Sequence, residues 1–177
     1  VNVLSKKHAT PRSNPFFIPR QEGEIRIVSC DFAFVDRNGN DNSAFSCIRA
    51  LPESKRYGGS DRSVEVKRGY RRILSYMETT PGGDTDKQAI RVRQLYEDFD
   101  ADYLVLDLRN GGPAIYYKLA KVMYDESRDC EYSPLTCMND DGLASAIRAD
   151  GAQPVIYAIT ASQKLNSTIA NGFRESL

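Results

Sequence analysis

The strongest constraint on this chain is one carboxylate set inside an apolar run. Ile25-Arg-Ile-Val-Ser-Cys-Asp-Phe-Ala-Phe-Val35 carries apolar side chains on both faces, with Asp31 among them. That pattern predicts a central strand covered on both sides. Desolvating a carboxylate is costly unless something compensates it. A bound metal ion, a buried hydrogen-bond network or a position at the strand end would each do so.

The surrounding sequence supplies the rest of a mixed α/β domain. Asp36-Arg-Asn-Gly-Asn40 is a turn signal, and Ser43–Leu51 reads as a second strand, antiparallel to the first. After a loop with Gly58-Gly59, Val64–Glu78 reads as a third strand, broken by Pro81-Gly82-Gly83. Asp84 or Thr85 then caps a helix running to about Asp98, whose Ala89, Val92, Tyr96 and Phe99 form an apolar stripe. Tyr103–Leu106 is a short buried strand closed by Asp107. A turn at Asn110-Gly-Gly-Pro113 leads to a helix over about Ala114–Tyr124. A loop region with the Asn139-Asp-Asp-Gly142 turn follows, then a last strand over Pro154–Thr160. A final helix is marked by Leu165, Ile169 and Phe173. Three strands in succession, then alternating helices and strands, predict a three-strand antiparallel meander plus two parallel strands, flanked by helices on both faces. The segment 1–23, with Pro11, Pro15 and Pro19 among bases and polar residues, reads as a linker or docking arm; residues 24–177 form the domain. No stretch is apolar for long enough to span a bilayer.

Asp107 repeats the pattern of Asp31, at the end of an apolar strand. Ligands of open α/β sheets gather at the carboxyl ends of parallel strands. If the two strands are neighbours, both carboxylates enter one site, where their repulsion calls for cations between them. With the one histidine in the N-terminal arm and Cys30 read as a buried free thiol, the hard oxygen ligands point to Mg²⁺ or Mn²⁺, which would support metal-assisted phosphodiester hydrolysis. The alternative is that Asp107 merely opens the next turn. Asp41, just after the hairpin turn, is either an accessory metal ligand or a turn residue. Lys67-Arg-Gly-Tyr-Arg-Arg72 groups four bases with an aromatic. Strand alternation would set Arg68, Tyr70 and Arg72 on one face, and Lys67 and Arg71 on the other. This is either a phosphate-tracking surface or a charged edge that resists aggregation.

Several classes are excluded by what is scarce. The one histidine, His8, lies in the arm, which removes Ser-His-Asp and Cys-His catalysis. Cys30, Cys47, Cys130 and Cys137 have no C-x-x-C spacing, so a Cys/His zinc site is not expected. Cys30 and Cys47 read as buried free thiols, which suits a reducing cytoplasm. No GxxxxGK[ST] occurs, so an ATP motor is not encoded here. Formal charge is zero, 24 bases against 24 acids, which argues mildly against nucleic acid, although a nuclease needs acidic metal ligands and can confine its bases to one groove.

Taken in order, these residues resemble a known family. Ile27-Val-Ser-Cys-Asp31 with Gly39-Asn-Asp-Asn-Ser43 resembles the opening hairpin of the nuclease domain of phage-type terminase large subunits. Ala89–Tyr96, Ala101–Asp107 and Asn110-Gly-Gly112 resemble its helix and second acidic strand. Val155–Ile159 and Leu165–Ala170 resemble its last strand and following helix. The likeness covers about Ile25–Leu177. It implies a ribonuclease H-like fold and divalent-metal-dependent endonuclease activity on concatemeric double-stranded DNA during viral DNA packaging. Asp31 and Asp107 would be catalytic metal ligands, and Asp41 falls near an accessory acid. The implied partners are the terminase ATPase domain, the small terminase subunit and the portal, in the cytoplasm of the host cell. The family's third carboxylate follows the helix matched by Leu165–Phe173, so it is expected beyond Leu177. Glu175 is the nearest acid within the chain, and the domain reads as C-terminally incomplete. Competing readings are another ribonuclease H-like nuclease such as a resolvase or integrase, a catalytically silent DNA-binding or motor-docking module, and a small-molecule α/β enzyme.

Overall fold

The computed structural model describes residues 19–34, 42–58, 64–109 and 111–160, with Ser162, Ser167, Thr168 and Asn171 beyond them; side chains at 54–58 and 64–68 are not described. The first element, β1 (Ile25–Asp31), pairs antiparallel with β2 (Asn42–Gly58), which pairs antiparallel with β3 (Val64–Pro81). Helix α1 (Thr85–Phe99) leads to β4 (Tyr103–Asp107), parallel to β1. Helix α2 (Gly112–Leu119), the short strands β5 (Met123–Asp125), β6 (Cys130–Tyr132) and β7 (Leu135–Cys137), and helix α3 (Asp141–Ala146) follow. The last described strand, β8 (Gln153–Ile159), pairs parallel with β4 and with β7. Among the described residues the main sheet has the order β3-β2-β1-β4-β8-β7, and β5 and β6 form a separate pair.

The expected mixed sheet is present: an antiparallel meander joined to parallel strands, with helices against it. Its details correct the sequence reading in four places. A sixth strand, β7, extends the expected five, and with only three residues it has no period to read. The helix expected to reach Tyr124 ends at Leu119, and Met123–Asp125 pairs with β6 instead. The second strand does not stop at Leu51 but continues through Pro52 to Gly58. Beyond Ala50, the partner of Ile25, β2 has no β1 neighbour, and a proline is tolerated at such a free edge. The first strand ends at Asp31 rather than at Val35. Its burial also alternates: Val28 and Cys30 are buried while Ile25, Ile27 and Ser29 are half-buried. Of the helix expected over Leu165–Phe173, Ser167, Thr168 and Asn171 are described and are helical; the rest of it, the turn at 36–40, the arm through Ile18 and Glu175 lie outside the described residues.

Helices were expected on both faces of the sheet, but among the described residues α1 and α2 both pack on one face, which carries the core. Val28, Cys30, Phe45, Cys47, Leu104, Leu106 and Ile156 meet Ala89, Val92, Leu95 and Phe99 of α1 and Ile115, Tyr116 and Leu119 of α2. Burying each of the larger apolar side chains stabilises the fold by about 1.5–3 kcal/mol. Tyr96, expected in the α1 stripe, is half-buried, and Leu95 takes the inner position. Asp84 caps α1 as expected, accepting hydrogen bonds from the backbone N–H groups of Asp86 and Lys87. Cys30 and Cys47 are buried free thiols, and burial pushes both well above the ordinary thiol range.

An ionic knot sets the register of β1 against β4. Glu24 is fully enclosed between Arg26 and Arg49, each donating at 2.7 Å. Burial opposes its charge, but the hydrogen bonds from Arg49, the Gln21 backbone and Arg26 win, holding the carboxyl down at about 2. Arg26 also donates from Nη1 to the Phe99 carbonyl at the end of α1, and its backbone N–H donates to Asp102 just before β4. The start of β1 is thereby tied to the start of β4. The level at which both strands end follows from that tie.

Candidate active site

Two acids lie at the carboxyl edge of the sheet because β1 and β4 are parallel neighbours in a defined register. Cys30 pairs with Leu106, and the next residue on each strand is Asp31 and Asp107. Asp31 is exposed at the strand end, so the desolvation cost that its apolar setting implied is relieved by water. Asp107 is buried, with 9% of its surface exposed.

Arg109, which the sequence reading passed over, completes the arrangement. Its backbone N–H donates to Asp107 Oδ1 at 2.9 Å, the mark of a turn closed on an aspartate side chain. Its guanidinium donates from Nε and Nη2 to Asp107 Oδ2 at 3.0 and 2.9 Å. The hydrogen bonds to Asp107, and then the charges of Asp107 and Asp31, raise the guanidinium above its ordinary value. Among the described residues, the local charge is two carboxylates against one guanidinium.

The loops leaving the two strands are held by close backbone approach. A Cβ on Gly112 would lie 2.3 Å from the Asp107 carbonyl oxygen, and one on Gly111 would lie 2.5 Å from the Phe34 ring. These glycines therefore serve packing at the turn. On the β1 side, a Cβ on Gly82 would lie 2.5 Å from the Ala33 carbonyl oxygen, to which Gly83 N–H donates at 3.2 Å. Ser43 Oγ accepts from Ala33 N–H at 2.9 Å and donates to Gln88 Oε1 at 2.7 Å. Gln88 Nε2 returns to the Ala33 carbonyl at 3.1 Å. Leu108 N–H bonds the Ile159 carbonyl at 2.8 Å, fixing the exit of β4 against β8.

The donor set suits a hard cation, since it offers carboxylate oxygens without imidazole or thiolate. It offers two such groups among the described residues. Among the described residues no cluster of three or more His, Cys, Asp or Glu side chains is placed to hold a metal. Asp41, the candidate accessory ligand, lies outside the described residues.

The basic run is not brought to the acids. Arg71 and Arg72 are exposed on the edge strand β3, where they pair with Leu51 and Ala50. Asp31 pairs with Ala44, so six residues of β2, roughly 20 Å at 3.3 Å each, separate the two levels. Tyr70, Arg71 and Arg72 are all exposed, so both faces of β3 are open to solvent at this run. Lys67 and Arg68 belong to β3, but their side chains lie outside those described. β2 and β3 run on as a two-stranded hairpin past the end of β1, so this run forms an arm beyond the sheet.

No described helix is long and apolar enough to cross a membrane. Compared with protein-family models, with curated proteins and with solved structures, the chain gives no significant match.

Proposed function

We propose that this chain is the endonuclease domain of a viral DNA-packaging terminase, ribonuclease H-like in plan, cutting double-stranded DNA with Mg²⁺ or Mn²⁺. The observation that carries the reading is the register of β1 on β4, which leaves Asp31 and Asp107 side by side at one sheet edge. The order β3-β2-β1-β4-β8, antiparallel in the meander and parallel thereafter, supports it as the arrangement the family resemblance implies. Divalent cations bound by the pair would supply Lewis acidity and an activated water. Asp31, at the exposed strand end, would be the ligand on the solvent side. Asp107, gripped by its own turn, would be the fixed one. The hairpin arm of β2 and β3 would follow the DNA backbone with its bases.

A second reading, a catalytically silent DNA-binding or motor-docking module, is favoured by one observation: the described residues supply two acids at the site and no third. Incubating the full chain with supercoiled plasmid in EDTA, Mg²⁺ or Mn²⁺ separates the two. The nuclease reading expects metal-dependent nicking that both Asp31→Asn and Asp107→Asn abolish. Retained DNA binding without cleavage in any metal would leave the docking module.

A further inference from the structure

We propose that Arg109 is the resting counter-ion of the Asp31–Asp107 pair, and that a divalent cation displaces it from Asp107 so that its guanidinium turns to the DNA phosphate. The inference rests on the nuclease reading and adds a residue and an order of events to it.

The geometry gives Arg109 two separable attachments. Its backbone N–H holds Asp107 Oδ1, while its guanidinium covers Oδ2 through Nε and Nη2 and reaches Oδ1 at 3.4 Å through Nε. The first is part of a turn fixed on both sides. Leu108 is bonded to Ile159, and Gly112 N–H donates to the Arg109 carbonyl at 3.1 Å. The second is a side chain that is half exposed, at 50%, laid over a carboxylate that is only 11% exposed. Withdrawing the guanidinium from Oδ2 therefore needs rotation of one solvent-facing side chain and no movement of backbone. Arginine stays protonated at any accessible pH, so the exchange is one cation for another, with no proton to account for.

Charge gives the exchange a direction. With Arg109 in place the three groups sum to one negative charge, which repels a phosphodiester. A divalent cation on the carboxylates brings the same groups to one positive charge. The guanidinium fork then has no carboxylate to hold, and it matches the two free oxygens of a phosphate as well as it matched Asp107. The site would thus favour DNA only once the metal is bound, and the residue that guards Asp107 would become one that binds substrate.

The test measures Mn²⁺ affinity by calorimetry without DNA, beside plasmid nicking at saturating Mn²⁺, for wild type, Arg109→Gln, Arg109→Lys and Asp107→Asn. Removing the competitor should tighten Mn²⁺ binding by about two- to fivefold in Arg109→Gln, the scale of a partly exposed ion pair. Nicking by the same variant should fall at least roughly tenfold, since a phosphate-binding donor has gone. Arg109→Lys, which keeps the charge but not the fork, should lie between. Melting temperatures of the arginine variants should match wild type, separating the effect from misfolding. Equal or weaker Mn²⁺ binding by Arg109→Gln, or undiminished nicking, overturns the proposal while leaving the nuclease reading standing. Mn²⁺ binding that Asp107→Asn does not abolish removes the nuclease reading, and this inference with it.

Discussion

Gln88, on the first turn of α1, donates from Nε2 to the carbonyl of Ala33 at 3.1 Å, two residues beyond Asp31. Ser43 closes the ring by accepting from Ala33 N–H and donating to Gln88 Oε1. Both Ser43 and Gln88 are buried, so each bond is worth more than its exposed counterpart and is costly to leave half-made. The path of the chain leaving β1, and with it the aim of Asp31, is set by a helix and a strand.

Gln88→Leu keeps the volume and removes the ring. It should destabilise the fold by about 1–3 kcal/mol in urea unfolding, because Ser43 loses its acceptor. Plasmid nicking should fall by roughly tenfold more than the unfolded fraction explains, since Asp31 loses its fixed exit. A variant that is less stable yet equally active per folded molecule would show that the ring serves the fold alone.

Gly112→Ala tests the other strand exit. The added Cβ would meet the Asp107 carbonyl oxygen at 2.3 Å, and that partner is backbone, which cannot step aside cheaply. A loss of about 1–3 kcal/mol is expected, the usual scale of an overpacked site, together with weakened Mn²⁺ binding. Gly151→Ala is the contrast: nothing lies near its Cβ, and the strain there comes only from a φ of 75°. It should cost stability without touching metal affinity. Metal binding unaffected by Gly112→Ala would mean that the turn does not hold Asp107.

These sites differ in how far the sequence announced them. Asp31 and Asp107 were legible as candidates because a carboxylate inside an apolar run, or closing one, conflicts with its surroundings and demands a reason. Arg109 was not, since a base two residues after an acid is ordinary in any solvated turn, and only the bonds to Asp107 single it out. Ser43 and Gln88 were silent for another reason: they meet across 45 residues of chain, a separation no local pattern reports. The end of α2 was misjudged because Val122, Met123 and Tyr124 continue an apolar pattern with no glycine or proline to stop it. The distance between the basic run and the acids follows from register, and register was not readable.

The Glu24 knot predicts a specific acid sensitivity. Its carboxyl is held at about 2 against an ordinary 4.5, so the unfolded state binds this proton more readily than the folded one. The stabilisation is complete above about pH 4.5 and is lost as pH falls toward 2. Glu24→Gln leaves Arg26 and Arg49 buried without their carboxylate, and should cost about 3–5 kcal/mol at pH 7. Urea unfolding at pH 7 and pH 3 should show the gap between variant and wild type narrowing at the lower pH. A gap of equal size at both would place the stabilisation in packing, not in charge.

Arg71→Ala with Arg72→Ala tests whether the hairpin arm meets DNA. Both side chains are exposed on an edge strand and roughly 20 Å along β2 from the level of Asp31, so they cannot act on the reacting phosphate. A duplex crossing the site could still touch them through its flanking backbone. Fluorescence anisotropy with a labelled duplex at several salt concentrations should then show weaker binding. The slope of log K against log salt should fall by roughly one for each phosphate that the variant no longer neutralises. The melting temperature should not move, because neither side chain is buried. An unchanged slope and affinity would take the arm off the DNA path. Its charges would then be read as protection of an edge strand against pairing with another chain, and the double variant should show that as concentration-dependent association.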